Sequence, residues 1–174
     1  MVDKIRVALV GLGNCFSGLI QGIEYYRKNP SQEVIGIIHD KLSDYSIHDI
    51  EFVAGFDVGE NKIGKPVNEA IYESPNMVDW IDKNDMPKTD GMVYESPALD
   101  GVGIWVENKV KPIQSDKSEP ELAEEIKKII TDTRVEIIVS YLPVGSEKAT
   151  QFWANICLET NTAFVNCMPA FIAS

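Results

Sequence analysis

Ile5-Arg-Val-Ala-Leu-Val-Gly-Leu-Gly-Asn-Cys-Phe16 is the stretch whose reading decides the fold. Residues 5–10 form a short apolar run rich in β-branched side chains, the pattern of a buried strand. Gly11 and Gly13 interrupt it. From Asn14 the periodicity changes: Phe16, Leu19, Ile20, Ile23 and Tyr26 recur at steps of three and four, which predicts a helix. That helix should end near Asn29-Pro30, because proline restricts the residue before it. A strand, a glycine turn and a helix start, in that order, present free backbone N–H groups and the positive end of a helix dipole to an anion. The first glycine permits a tight turn and the second a close approach by a pyrophosphate. Phe16 stands where a third glycine is usual, and Gly18 lies two residues beyond it.

Outward from this stretch, Glu51-Phe-Val-Ala-Gly-Phe-Asp57 reads as a second buried strand ending in a carboxylate. In a dinucleotide-binding fold a carboxylate at that place accepts hydrogen bonds from ribose hydroxyls and repels a 2′-phosphate, which favours NAD over NADP. The usual gap from the glycines is about 20 residues. Here it is more than twice that, so the intervening segment must fold out as an irregular insertion around residues 31–50. Val34 to Ile38 is apolar and broken by Gly36, and Asp40 to Asp49 is polar.

Residues 58–118 are loop-rich, with turn signals at Ser74-Pro75-Asn76, Asp90-Gly91 and Asp100-Gly101, and a third strand expected at Met92 to Glu95. Ser118 and Glu121 have capping-box spacing before a helix whose apolar face is Leu122, Ile126, Ile129 and Ile130. Arg134 to Ser140 is a strand. Pro143-Val-Gly145 turns, Ser146 can cap a helix carrying Ala149, Phe152, Trp153 and Ile156, and Thr162 to Asn166 is a last strand. Strand–helix–strand units at both ends predict an α/β fold: a Rossmann-like doubly wound parallel sheet, incomplete at its C-terminal end. Ligands of such folds sit outside the carboxyl ends of strands. The loop Ser140-Tyr-Leu-Pro-Val-Gly-Ser146 starts at such an end, and reads equally as a binding loop or as a plain capped turn.

Composition narrows the function classes. The chain has 174 residues, 44% hydrophobic and 25% charged, with a net charge of −11. That acidity argues against non-specific binding to nucleic acid or to anionic membranes. There is no apolar run of membrane-spanning or signal-peptide length. Cys15, Cys157 and Cys167 have no metal or C-x-x-C spacing, so three reduced thiols and a cytoplasmic location are expected. His39 and His48 match no metal motif and are expected on the surface, and no metal is expected. Tyr25, Tyr26, Trp80 and Trp105 are expected to pack.

Several segments together resemble the inositol-3-phosphate synthase family in its bacterial and archaeal form. They are Val10 to Cys15, Gln21 to Tyr26, Asp49 to Asp57, Leu99 to Gly103, Ser140 to Glu147 and Phe164 to Ser174, in the family's order along almost the whole chain. The Tyr-Leu-Pro-Val-Gly-Ser-Glu and Phe-Ile-Ala-Ser blocks are the specific ones.

The resemblance implies an isomerase of inositol and phospholipid biosynthesis. It converts glucose 6-phosphate into inositol phosphate through an internal redox cycle on bound NAD. Gly11, Gly13, Asn14 and Cys15 would line the pyrophosphate, and Asp57 would hold the ribose. Ser140, Leu142, Pro143 and Ser146 would lie beside the cofactor. The family normally runs to twice this length or more, its further domain supplying catalytic lysines and most of a homo-oligomer interface. Residues 1–174 therefore correspond to the NAD-binding domain without the catalytic and oligomerisation domain. No lysine here matches the family's catalytic set, so the catalytic residues stay unassigned and the chain alone is expected to be inactive. The family's Gly-Gly-Tyr-His run is also altered, to Ser43-Asp-Tyr-Ser46 before His48. Two other readings stand beside this one: a stand-alone NAD-binding module without catalysis, or another oxidoreductase sharing the fold.

Overall fold

The computed structural model describes residues 3–30, 36–39, 41–102 and 107–172. The opening apolar run forms β1 (Ile5–Val10), whose last four residues are buried. After the glycine turn comes α1 (Asn14–Lys28), ending two residues before Pro30 with Arg27 and Lys28 in its last turn. Between α1 and the next long strand, β2 (Lys41–Leu42) and β3 (Tyr45–Ser46) pair as a short antiparallel hairpin. A 3₁₀ turn at Ile47–Asp49 follows, closed by a capping box between Ser46 and Asp49. Residues 34, 35 and 40 lie outside the described part of that segment, as does Trp105.

The chain then enters β4 (Ile50–Asp57), a short helix α2 (Val67–Ala70), and β5 (Met92–Glu95). Helix α3 (Glu119–Asp132) starts at the Ser118–Glu121 capping box that the spacing predicts. β6 (Ile137–Ser140), α4 (Glu147–Thr160) and β7 (Ala163–Asn166) complete the order.

The five long strands form one sheet in the order β5-β4-β1-β6-β7, and every pairing in it is parallel. β1 is central. Its even-numbered residues Ala8 and Val10 join Phe56, Ile126, Ile130, Ile138 and Trp153 in one core under α3 and α4. Its odd-numbered residues Val7 and Leu9 join Leu12, Phe16, Ile20, Val67 and Ile71 in another, under α1 and α2. A strand buried on both faces reads as a continuous apolar run, which is why residues 5–10 show no alternation.

Register places the site. Val10 pairs with Phe56 and with Ser140, Asp57 with Glu95, and Ser140 with Asn166, so the strands finish at one edge. A bulge between Val7 and Ala8 skips Val53 and advances β4 by one residue. The glycine turn and Asp57 thereby leave the sheet side by side, and the Gly11 N–H bonds the Phe56 carbonyl at 2.9 Å.

The aromatics divide. Trp153 is fully buried, whereas Trp80, expected to pack, is 74% exposed and only rests its ring edge over Gly18. Tyr25 and Tyr26 meet edge to face at 5.6 Å, with Tyr25 about half exposed.

Candidate functional site

At the carboxyl edge of the sheet lies a cavity of about 250 Å³. Its wall includes Gly11, Gly13 and Asn14 from the glycine turn, Asp57 from the end of β4, and Leu142, Pro143 and Ser146 from the loop between β6 and α4. Seven of the nine cofactor-binding candidates therefore share one wall. Cys15 is exposed but does not line it. Ser140 does not line it either. That residue is fully buried at the end of β6, and its hydroxyl has no hydrogen-bond partner among the described residues.

A larger cavity of about 370 Å³ lies at the other end of the strands, against α1 and the start of β4. Size is not the guide here, because ligands of doubly wound folds sit at the carboxyl ends.

The two glycines answer different needs. Gly11 has φ +81°, a conformation costly for other residues, and an added Cβ would come within 3.2 Å of the Tyr141 carbonyl oxygen. Gly13 has φ −84°, and an added Cβ would meet nothing within 4 Å. The fold does not require glycine at 13, so a close approach from the open cavity is what the missing side chain allows. The first turn of α1 carries no side-chain cap and no acidic residue. By contrast, α3 has its capping box, and the Asp100 carboxylate covers α4 by accepting from the N–H groups of Lys148 and Ala149 at 3.2 and 2.8 Å. The uncapped α1 terminus is thus open to an anion. Phe16, in place of a third glycine, is fully buried and packs edge-on against Tyr141 at 4.7 Å.

Asp57 is tied into the turn itself. Its Oδ2 accepts from the Leu12 N–H at 2.8 Å and its Oδ1 from the Gly59 N–H at 2.8 Å. Lys62, which sequence reasoning passed over, stands 3.8 Å from that carboxylate. It is 4% exposed, donates to the Leu12 carbonyl at 2.7 Å and to Asn76 Oδ1 at 3.3 Å, and lines the cavity. Burial pushes its pKa below the usual lysine value, and the Asp57 charge opposes that shift. Asn76 donates to the same Leu12 carbonyl at 2.9 Å. The Asn14 side chain accepts from the Met77 N–H at 2.7 Å, so residues 76 and 77 brace the turn from outside. Lys62 sits in a polar loop with no periodicity, and the one sequence signal for it is its nearness to Asp57.

Tyr141 also lines the cavity, and the neighbouring Cys167 thiol, followed by burial, raises its pKa. Among the described residues no group of three or more His, Cys, Asp or Glu side chains is placed to hold a metal. His39 is exposed and His48 half-buried.

No protein-family model matches the chain. Curated relatives do. It is 42% identical over 172 residues to the inositol-3-phosphate synthase of Mycolicibacterium smegmatis, covering 98% of this chain and 45% of that protein. The Corynebacterium glutamicum synthase is 43% identical over 173 residues, covering 99% and 46%. The chain thus spans about half the length of the curated relatives it matches. Among solved structures, a crystal structure of Ari2 superposes with a TM-score of 0.78 at 29% identity, covering 97% of this chain and 48% of the other. A myo-inositol-1-phosphate synthase-related protein from Thermotoga maritima, at TM-score 0.72 and 23% identity over 97% of this chain and 49% of its own, shares the fold. Over nearly its whole length, the chain is similar to a part, just under half, of these inositol-3-phosphate synthases.

Proposed function

We propose that this chain is the NAD-binding part of an inositol-3-phosphate synthase, the enzyme that isomerises glucose 6-phosphate to inositol phosphate. The observation that carries the NAD reading is Gly13: its open face and the uncapped start of α1 border one cavity with the Asp57 carboxylate. Those residues fit a dinucleotide. The N–H groups at the start of α1 suit a pyrophosphate, and Asp57 suits a ribose that lacks a 2′-phosphate. Bound NAD supplies a hydride acceptor and donor for an internal redox cycle. The chain's own residues bind and orient. Leu12 is held from both sides by Asp57 and Lys62, which keeps the turn's shape before a ligand arrives. Leu142, Pro143 and Ser146 form the facing wall.

Negative charge developing on a reacting sugar needs positive groups aimed at it. Among the described residues Lys62 is the one lysine or arginine in the cavity wall, and two of its three donors are already taken by the Leu12 carbonyl and Asn76. Turnover of glucose 6-phosphate is therefore assigned to the longer enzyme, as a homo-oligomer. Three free thiols suit a reducing, cytoplasmic location. No described helix is long and apolar enough to cross a membrane.

Calorimetric titration of the chain with NAD and NADP tests the reading. NAD should bind and NADP should bind more weakly, and no inositol phosphate should form from glucose 6-phosphate. Absence of NAD binding would overturn the proposal. Turnover by the chain alone would overturn the assignment of chemistry to residues outside it.

A further inference from the structure

We propose that Lys62 and Asp57 form a two-pronged clamp on a single ribose hydroxyl, Lys62 donating a hydrogen bond to it and Asp57 accepting one from it. The clamp rests on the reading of this cavity as a dinucleotide site. A lysine ammonium has three N–H donors. Two find acceptors in the protein, the Leu12 carbonyl at 2.7 Å and Asn76 Oδ1 at 3.3 Å. The remaining direction has Asp57 Oδ2 at 3.8 Å, beyond hydrogen-bond reach. That oxygen already accepts from the Leu12 N–H, which leaves it a second lone-pair site.

A donor and an acceptor 3.8 Å apart, both in the cavity wall, are spaced for one oxygen lying about 2.8 Å from each. A hydroxyl satisfies both at once, because it donates and accepts. An ether oxygen lacks the proton that Asp57 needs, and a phosphate adds negative charge beside a buried carboxylate. A ribose hydroxyl is the group of a dinucleotide that fits. Glu73, the other acid near Lys62, is paired with Lys65 at 2.7 Å and leaves Asp57 as its close counter-charge. Burying an ammonium with one donor unused is costly. A ligand hydroxyl removes that cost, so this part of the binding energy appears only with a ribose in place.

The experiment is calorimetric titration of the full chain and of Lys62→Met with ADP, 2′-deoxy-ADP and 3′-deoxy-ADP. Wild type should bind ADP about tenfold more tightly than the deoxy nucleotide that lacks the clamped hydroxyl, the scale of a hydrogen bond to a charged group. Lys62→Met should weaken ADP by a similar factor, yet weaken that deoxy nucleotide by less than about twofold, because the partner is already gone. An equal loss for all three ligands would make Lys62 a brace for the turn alone and overturn the clamp. So would an unchanged ADP affinity in the variant. Wild type that binds NAD but treats the three nucleotides alike overturns the clamp and leaves the dinucleotide reading standing. Wild type that binds neither NAD nor ADP overturns both. If Lys62→Met lacks the wild-type circular dichroism spectrum, Lys62→Gln carries the same comparison, because its shorter amide keeps donors for the turn but removes the ammonium that the clamp needs.

Discussion

The Asp57 carboxylate accepts a hydrogen bond from the backbone N–H of Leu12 at 2.8 Å, across 45 positions of sequence. The acid expected to hold a ribose is thus also the latch of the glycine turn. Asp57→Ala should weaken NAD about 10- to 100-fold, and should also lower stability, because two buried N–H groups lose their acceptor at about 1–3 kcal/mol each. Titration calorimetry and thermal unfolding read the two effects separately. An unchanged affinity would remove Asp57 from the site.

Gly13→Ala probes the cavity without disturbing the fold. The added methyl meets no atom within 4 Å and the backbone angle is an ordinary one, so the unfolding temperature should stay close to wild type. NAD affinity should fall about tenfold or more, the scale of a lost close contact to a charged group. Wild-type affinity in the variant would show that the ligand does not approach this backbone.

Gly91→Ala should do the reverse. Its Cβ would stand 2.5 Å from the Phe52 carbonyl oxygen and 3.0 Å from the Val53 carbonyl carbon, and backbone cannot rotate away as a side chain can. A loss of about 1–3 kcal/mol in denaturant titration is expected, and an unaltered midpoint would contradict the close approach.

The three thiols should separate by reactivity. Cys15 and Cys167 are exposed, whereas Cys157 is buried and its pKa is pushed up to about 12 by that burial. A thiol-disulfide reagent at mildly alkaline pH should therefore modify two cysteines quickly and the third only after unfolding. Three fast thiols would refute the burial of Cys157 on the inner face of α4.

Asp49 carries an acid-dependent contribution. The Ser46 backbone N–H, then the Lys4 ammonium and the Ser46 hydroxyl, hold its pKa at about 2, below the ordinary aspartate value of 3.8. A depressed carboxyl pKa gives stability that is fully present above pH 3.8 and lost as pH falls through about 2. Asp49→Asn should flatten that part of the stability profile. A wild-type slope in the variant would assign the acid dependence elsewhere.

Much of the fold was legible because its signals are local. Apolar runs, steps of three and four, and the Ser118–Glu121 capping box depend on neighbours within a turn or two, and they located the five sheet strands and α1, α3 and α4. Asp90-Gly91 was read as a turn, but the crowding against Phe52 that demands glycine there comes from a strand far off in sequence. Trp80 was expected to pack because it is large and apolar. It stays exposed because the segment that carries it lies over α1 and not beneath it.

By itself the sequence determined the succession of strand, glycine turn and helix, the acid at the end of β4 and the loop between β6 and α4, since each depends on backbone preferences of a few adjacent residues; the cap expected from Ser146 is not made, and the distant Asp100 takes its place. Only the tertiary structure decided which of them meet. The bulge that skips Val53 brings Asp57 level with Gly11. Packing buries Ser140 and turns it away from the cavity, while Lys62 and Asn76, 50 and 64 positions from Leu12, converge on its carbonyl. A buried carbonyl and a buried ammonium need partners, and those partners come from wherever the chain passes, which no local pattern records.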